Sequence, residues 1–418
     1  MRGSSRQAYR NGPSKMHGEA ERSNGAVRIF PWAFLLACFV FWWLPSVLYR
    51  MAGMEDPIRI RTVVVSLSAL AAFAAGYLLR PVRSRGELPA SVFDRCQALA
   101  WRATVWLTVP ALALAIRFFH YRSGIAYGEG QGLSTLEQAV FYAHMYFGFL
   151  FLGAAKDTAE DRRRALWASL LVILPRVIVS LRWGRFFVVQ ALAPILFIAL
   201  ARGWLRMSRK LWIGFACLGL AVVFVPSLTR GDQVVGNEGL VRFFAEGGTL
   251  KLFQDNKDLN LYNRCPPLLV SLTDGFVPYR EMGVCTLNIW GERHVAATLD
   301  RILAYNDPTT EGTLTGPGAN YILELYLSGG IGAILVGSLV FGMTCRWFAG
   351  WIGRRSLFAG IWAECLTRGL LAPRGTLGYV YQLIPVLVVA TGIVILVAMA
   401  APRRREPAAE AERVSVAG

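Results

Sequence analysis

Two arginines in one short turn are the first residues of this 418-residue sequence that could do chemistry. The residues from Ser180 to Phe186 read Ser-Leu-Arg-Trp-Gly-Arg-Phe and lie between two apolar stretches. Gly184 permits a sharp reversal, from which Arg182 and Arg185 would point into one pocket. A guanidinium binds phosphate oxygens in pairs, so the turn predicts a site for a pyrophosphate group. A plain hairpin turn would need neither arginine.

Further arginines fall near the same predicted edge of the membrane. Positive charge normally collects on the cytoplasmic side of membrane proteins, so an outward set indicates an anionic ligand. The alternative is that lipid headgroups and carboxylates such as Asp232 and Glu364 neutralise it. Glu364 and Arg368 are spaced i, i+4 and are expected to pair with each other. The outward set comprises Arg117, Arg122, Arg176, Arg182, Arg185, Arg230, Arg368 and Arg374.

A second polar element follows a Gly-Pro-Gly break at residues 316–318. Asn320 is the predicted N-cap of the next apolar helix. Glu324 and Ser328 lie on the same helical face as Asn320, and Tyr321 lies one turn from Glu324. The carboxylate is either a proton acceptor or a favourable charge at the positive end of the helix dipole, and the spacing leaves both open.

Three histidine and cysteine features complete the chemical inventory. His294 is the single histidine of the predicted large outer loop and is a candidate general base, although lone surface histidines are common. His144 is predicted to be a hydrogen-bonding group in the core. Cys265 and Cys285 could form a disulfide on the oxidising side. The four histidines and seven cysteines show no metal-binding spacing, so we expect no metal and no cofactor.

The elements that position these residues are membrane spans. Hydrophobic residues make up 55% of the chain and charged residues only 17%, which is too few for a soluble protein of this length. We predict an all-α polytopic membrane protein of about ten spans. The apolar segments lie at 30–49, 62–79, 99–118, 136–155, 165–181, 186–201, 211–228, 320–345, 356–372 and 378–401.

The distribution of basic residues among the loops predicts how the chain is oriented in the membrane. With 165–181 and 186–201 read as two spans, one side of the membrane receives 25 basic residues and the short loops of the other side receive seven. The positive-inside rule then places both termini in the cytoplasm. The net charge of +17 is explained by this arrangement and requires no nucleic acid. The tails 1–29 and 402–418 lack apolar periodicity and are predicted to be disordered.

Residues 229–319 form one large outward loop between the seven spans in 30–228 and the three in 320–401. It carries eight Lys and Arg against eleven Asp and Glu, and it is rich in apolar residues. Loops of this length are functional or disordered, and this composition favours an ordered cap. Its apolar pieces Leu268–Leu272 and Val284–Trp290 are predicted to be short helices on the membrane surface.

The Arg-Trp-Gly-Arg-Phe turn, the stretch Gly318-Ala319-Asn320-Tyr321-Ile322-x-Glu324-Leu325-Tyr326 and the following Gly-Gly-Ile-Gly-Ala resemble the Wzy-type O-antigen and exopolysaccharide polymerases of bacteria. Members of this family join oligosaccharide repeat units. Their large periplasmic loop is followed by a Tyr-x-x-Glu-x-Tyr helix start and a glycine kink.

The resemblance implies an inner-membrane glycosyltransferase of the GT-C type. It would act on glycans carried by undecaprenyl pyrophosphate, possess a large periplasmic loop, and work beside a flippase and a chain-length regulator. Arg182, Arg185 and Arg230 become the leading ligands of the pyrophosphate. Arg176 and Arg368 are the secondary candidates for this role, and Asn320 and Tyr321 are further candidates for substrate binding. The candidate proton acceptors are Asp232, Glu324 and His294.

Two other functions stay open on the same features. An O-antigen ligase would use the same donor and a similar layout, and His294 suits that reaction. A lipid-linked glycan flippase or another transporter would usually contain repeated halves and no large external cap. The sequence shows no internal repeat and has the large loop 229–319, and both features argue against that function.

Overall fold

The computed structural model describes residues 25–51, 58–79, 89–121, 135–181, 186–205, 320–381 and 383–400, with short pieces at 208, 214, 253–254, 268, 286–289 and 292–295. The helices are α1 (Gly25–Cys38), continued by a π-helical turn (Phe39–Trp43) into α2 (Leu44–Met51), α3 (Ile60–Leu78), α4 (Ala90–Tyr121), α5 (Thr135–Ala154), α6 (Ala159–Ser180), α7 (Phe186–Ala201), α8 (Tyr321–Ile352), α9 (Ala359–Leu371) with a 3-10 turn (Ala372–Arg374), α10 (Leu377–Tyr381) and α11 (Leu383–Ala400).

These helices overlap nine of the ten predicted apolar segments, and the segment 211–228 lies outside the described residues apart from Gly214. By length and composition, four of them could cross a membrane, namely Gly25–Trp43, Ile60–Leu78, Ala90–His120 and Tyr321–Ile352. Helices α6 and α7 are separate, as the hairpin interpretation of 165–201 requires. A polytopic membrane protein is therefore supported, and the number of crossings stays a prediction.

Helix α8 folds back on itself. Gly329 (φ 179°, ψ 29°) and Gly330 (φ 66°, ψ −154°) leave helical geometry. The side chain of Leu325 consequently packs on Gly337, where a Cβ atom would overlap it. The positive φ of Gly330 is a conformation that residues with a side chain rarely adopt. Two antiparallel arms result.

The fold-back corrects the bounds of the predicted span 320–345. At 1.5 Å per residue, the long arm (331–352) is about 33 Å long and matches the hydrocarbon thickness, whereas the short arm (321–328) is about 12 Å long. The short arm is thus a re-entrant helix beside the long arm. The family resemblance implied a glycine kink at this stretch, but the continuous apolar run gave no sign that the chain reverses direction there.

Helix α3 and the long arm of α8 pack with their backbones in close approach. A Cβ atom on Gly76 would overlap the carbonyl oxygen of Leu339, and a Cβ atom on Gly342 would overlap that of Phe73. Small residues let membrane helices approach in this way. Stacked and edge-on aromatic rings fill the adjoining core, contributed by Phe30, Phe34, Phe73, Tyr77 and Phe341.

We call the end of the bundle where α5 finishes and α6 begins the lower end, and the opposite end the upper end. At the lower end, Asp94 of α4 binds Lys156 (2.9 Å) and Arg355 (2.8 Å), which follow α5 and α8. Gln97 donates to Asp161 of α6 at 2.8 Å. Polar contacts therefore tie four helices together at the end that the loop charges assign to the cytoplasm.

Arg202, directly after α7, connects that helix to the end of α5 at the lower end. Its Nη1 donates to the carbonyl oxygen of Ala155 at 2.7 Å, and its Nη2 donates to that of Gly153. Burial lowers the pKa of Arg202 to about 10, and Asp157 acts in the opposite direction. The guanidinium therefore stays charged at neutral pH and holds the end of α5.

The described regular structure is helical, as predicted, apart from two short antiparallel strands in the segment 229–319, β1 (Thr286–Ile289) and β2 (Glu292–Val295). They lie where the piece Val284–Trp290 was expected to form a short helix. In their register, Ile289 pairs with Glu292 and Thr286 pairs with Val295.

Candidate functional site

Arg176 lies near the upper end of α6 with only 1% of its surface exposed. Its Nη2 donates to the carbonyl oxygen of Phe141 in α5 at 2.7 Å. The guanidinium carbon lies 4.8 Å from the centroid of the Phe141 ring, and 5.8 and 5.9 Å from those of Tyr142 and Phe187. Aromatic faces stabilise a desolvated cation. Its Nε has no hydrogen-bond partner among the described residues.

Glu364 and Arg368 form a buried ion pair one turn apart on α9, as their spacing predicts. Arg368 Nε donates to Glu364 Oε1 at 2.9 Å, and the two side chains are 2% and 3% exposed. Gln190 of α7 donates to the same oxygen at 2.9 Å. Glu364 Oε2 has no hydrogen-bond partner within the described chain. Removing one partner of such a pair strands a buried charge, which costs about 3–5 kcal/mol.

The arginine of α6 and the ion pair of α9 both lie against the start of α7, because Arg176 contacts Phe187 and Glu364 contacts Gln190 one turn further along. We call Arg176, Gln190, Glu364 and Arg368 the buried charge cluster. Its two guanidinium groups and one carboxylate leave one positive charge in excess. Arg176 lies about 25 Å along α6 from the lower end, so the excess charge is close to the upper edge of the bundle.

His144 borders the buried charge cluster and is fully buried. The Thr108 hydroxyl donates to the carbonyl oxygen of Thr104 at 2.8 Å, and His144 Nε2 lies 3.0 Å from that hydroxyl. The imidazole therefore carries its proton on Nε2 and donates it to Thr108. These contacts agree with the prediction that His144 is a hydrogen-bonding core residue.

Polar side chains of the short arm form hydrogen bonds with its own first turn, with the start of α10 and with the segment 229–319. Asn320 is a buried N-cap, as predicted, and accepts from the backbone N–H two residues on at 2.9 Å. Glu324 Oε2 accepts from the backbone N–H of Leu377 at 2.6 Å and so satisfies the first turn of α10. Ser328 accepts from the backbone N–H of Leu268 at 3.0 Å. The carboxylate of Glu324 thus has a structural contact, and its role as a proton acceptor stays a prediction.

Tyr321 lies inside the aromatic core. Its ring centroid is 5.9 Å from that of Trp42 and 5.6 Å from that of Phe341, and the residue is fully buried. A substrate could touch Tyr321 only after the short arm moved. Its assignment to substrate binding stays a prediction.

Three described residues of the segment 229–319 lie against the upper end. Gln254 accepts from the backbone N–H of Arg59 at 2.7 Å, at the start of α3. The ring of Phe253 packs edge-on against Tyr326 of the short arm, with centroids 5.5 Å apart. Leu268, expected to be helical, is helical and packs on the core. These contacts agree with a loop that covers the upper end.

The remaining predicted site residues lie in the rest of that segment or in the α6–α7 turn. Arg182, Arg185, Arg230 and Asp232 lie outside the described residues, as do Cys265 and Cys285. His294 is in β2, in register with Leu287. The helices that flank the turn are described, and both reach the upper end beside the buried charge cluster.

Gln190 and Phe141 are the contributors that the sequence analysis missed. Gln190 is the single polar residue in the apolar helix α7, and a lone amide in a membrane span is a signal for a buried partner. Phe141 contributes a backbone carbonyl and a ring face, for which a sequence carries no signal. Among the described residues, no three His, Cys, Asp or Glu side chains are grouped so that they could hold a metal ion.

Comparison with known proteins connects the C-terminal part of the chain to one family. Residues 288–402, about a quarter of the chain, match the family model described as O-antigen polysaccharide polymerase Wzy. The matched region includes both arms of α8 and the ion pair of Glu364 and Arg368, and it begins after Arg176 and Gln190. No curated protein and no solved structure matches the chain. The resemblance seen in the sequence is therefore confirmed over residues 288–402, which are similar to the O-antigen polysaccharide polymerases of the Wzy family.

Proposed function

We propose that this protein is an inner-membrane polymerase that joins lipid-linked oligosaccharide repeat units into a surface or secreted polysaccharide. The observation that carries the proposal is the family match over residues 288–402. The buried charge cluster supports it, because Glu364, which pairs with Arg368 inside the match, also accepts a hydrogen bond from Gln190 outside the match. The transfer takes place at the upper end, which the loop charges assign to the periplasm.

The reaction is a glycosyl transfer between two lipid-linked glycans. A sugar hydroxyl of the acceptor attacks the anomeric carbon of a donor carried on undecaprenyl pyrophosphate. The bond between that carbon and the pyrophosphate oxygen breaks, lipid pyrophosphate leaves, and the hydroxyl proton passes to a base. Fixed cations that face the leaving group stabilise the charge that develops on it.

Arginines at the upper end supply these cations. Arg182 and Arg185 belong to the connection between α6 and α7, which follows Arg176 in the sequence, and bind the pyrophosphate together with Arg230. Arg176 lies about one helical turn before the end of α6 and adds a positive charge there. Its charge is in excess because the described residues hold no ion-pair partner for it. Arg368, oriented by its ion pair with Glu364, is a further candidate ligand of the pyrophosphate.

The proton acceptor comes from Asp232, His294 and Glu324. Glu324 is fully buried and holds the start of α10, so it could reach a sugar only after the short arm moved. Asp232 and His294 belong to the large loop and are closer to a bound glycan if the loop caps the site. We therefore place Asp232 and His294 ahead of Glu324.

The proposal also includes a GT-C-like architecture, both termini in the cytoplasm, and cooperation with a flippase and a chain-length regulator.

The experiment that tests the function is the glycan phenotype of a deletion strain, with lipid-linked material sized by gel electrophoresis and mass spectrometry. A single repeat unit on its carrier lipid, with long polymer lost, is the expected result. Full-length polymer on the carrier lipid would instead indicate a ligase, and repeat units trapped on the cytoplasmic face would indicate a flippase.

A further inference from the structure

A pocket of about 620 Å³, lined by charged and aromatic residues, lies at the lower end, far from the buried charge cluster. Helix α4 forms one wall of the pocket, with Asp94 about two helical turns before Trp101 and Arg102. The opposite wall is the first turn of α6, with Glu160 and Arg164. The pocket is large enough for the headgroup of a phospholipid.

The charges that line this pocket balance. Its three basic residues are Arg102, Lys156 and Arg164, and its three acidic residues are Asp94, Glu160 and Asp161. Glu160 is paired with Arg164, and Asp94 is paired with Lys156 and also with Arg355, which does not line the pocket. A balanced lining with separate positive and negative groups suits a ligand that carries both charges.

Arg102 differs from the other basic residues of the pocket. It is exposed and has no ion pair or hydrogen bond to any residue that the structure describes. Guanidinium groups bind phosphate oxygens through two parallel N–H donors. Arg102 is therefore the cation in this pocket that is available to a phosphate.

The pocket opens at the edge of the lipid-facing surface. Trp101 packs on Phe151 with centroids 5.2 Å apart and forms the pocket wall. Beyond it along α4, Trp106 and Val109 are largely exposed, and Leu166 and Leu170 are exposed on α6. Tryptophan is typical of the boundary between headgroups and hydrocarbon. A lipid whose headgroup lay in the pocket could place its chains along these apolar faces.

We propose that this pocket binds the headgroup of a zwitterionic membrane phospholipid with a primary ammonium group, of the phosphatidylethanolamine type. The phosphodiester accepts from Arg102, and the ammonium group donates to the carboxylates of Glu160 and Asp94. A phosphatidylcholine headgroup carries no N–H donor for these carboxylates. A phosphatidylglycerol headgroup has no cation to place beside them.

The full-length protein, purified in detergent and stripped of lipid, tests the proposal by native mass spectrometry with the three phospholipids added separately. Phosphatidylethanolamine is expected to bind with the lowest Kd. Arg102→Ala should raise that Kd about tenfold, the value of one charge-assisted hydrogen bond. Glu160→Gln should reduce the preference for phosphatidylethanolamine over phosphatidylcholine and leave the binding of phosphatidylcholine unchanged.

Arg163→Ala is the matched control, because Arg163 is exposed on the same turn of α6 but does not line the pocket. Both arginines are exposed, so each variant should fold, and Arg102→Gln provides a second test that retains a long polar side chain. Equal Kd values for the three lipids, tighter binding of phosphatidylglycerol, or the same Kd for Arg102→Ala and Arg163→Ala would overturn the proposal.

Discussion

The rings of Tyr321 and Phe341 lie with their centroids 5.6 Å apart, although both belong to one continuous helical segment. A straight helix would separate them by about 30 Å. The reversal at Gly330 carries the short arm of α8 back beside the long arm, so the segment that starts at Asn320 begins inside the bundle. Irregular backbone at membrane depth is tolerated where protein surrounds it, and Asn320 is fully buried here.

Replacement of Gly330 by alanine should destabilise the fold-back. The φ of 66° at Gly330 is a conformation in which a side chain is strained, at a cost of about 1–3 kcal/mol. Thermal unfolding in detergent should show a lower Tm for Gly330→Ala than for Gly332→Ala, the control, because a Cβ atom on Gly332 would meet no atom within 4 Å. Equal Tm values would show that the reversal does not depend on glycine at this position.

Close packing of α3 against the long arm of α8 gives a second prediction. A Cβ atom on Gly342 would overlap the carbonyl oxygen of Phe73, so Gly342→Ala must push the two helices apart. Overpacking of this kind costs about 1–3 kcal/mol. Gly350→Ala is the control, since its Cβ atom would meet nothing within 4 Å. Unfolding temperatures should fall for Gly342→Ala alone, and an unchanged value would contradict the close approach.

The ion pair of Glu364 and Arg368 should reveal both a structural and a functional contribution. Glu364→Ala removes the carboxylate of a buried ion pair and should destabilise the protein by about 3–5 kcal/mol. The double variant Glu364→Leu with Arg368→Leu removes both charges and should recover most of the lost stability. Unfolding temperature and polymer length are measured on the same variants.

Polymer synthesis should be lost in the double variant even though stability is recovered, because this variant lacks Arg368, a proposed ligand of the pyrophosphate. Recovery of normal polymer together with stability would show that this ion pair is purely structural. Gln190 offers a milder test of the same point: Gln190→Leu removes one hydrogen bond to Glu364 and should lower stability by about 1–3 kcal/mol.

Loss of either arginine of the α6–α7 turn should abolish polymer. Arg182→Ala and Arg185→Ala each remove a proposed ligand of the pyrophosphate, while the protein should still reach the membrane in normal amount. Arg163→Ala, an exposed arginine of the lower end, should leave polymer unchanged. Silver-stained glycan gels and immunoblots of membrane fractions measure both properties. Normal polymer from both variants would eliminate the pyrophosphate clamp.

The orientation of the bundle can be tested with an impermeant thiol reagent on intact spheroplasts. Native Cys265 and Cys285 are first replaced by serine, because they lie in the same predicted loop. A cysteine introduced within residues 237–260 should then be labelled, whereas Arg163→Cys at the lower end should be protected. The opposite pattern would invert the topology and place the arginine-rich turn in the cytoplasm.

Much of the helical framework followed from apolar runs in the sequence. The separation of α6 from α7 followed from the charge count, and the Asn320 cap and the pairing of Glu364 with Arg368 followed from spacing alone. These features depend on residues close together in the chain, which is why a sequence can predict them.

Features that depend on distant residues were missed or misplaced. The fold-back of α8 is set by contacts such as that of Leu325 with Gly337, and a continuous apolar run conceals it. Gln190 finds Glu364 only after the bundle has formed. The hairpin at residues 286–295 replaced a predicted helix because a short apolar run has no period that distinguishes helix from strand.

The central claim is that this chain joins lipid-linked repeat units, and reconstitution tests it most directly. The substrate is the lipid-linked repeat unit extracted from the deletion strain, mixed with the purified protein in liposomes. A ladder of products that differ by one repeat unit, made by the wild type and not by Arg182→Ala, is the predicted result. A wild-type reaction that consumes no repeat unit, or that yields no product longer than one unit, would contradict the claim.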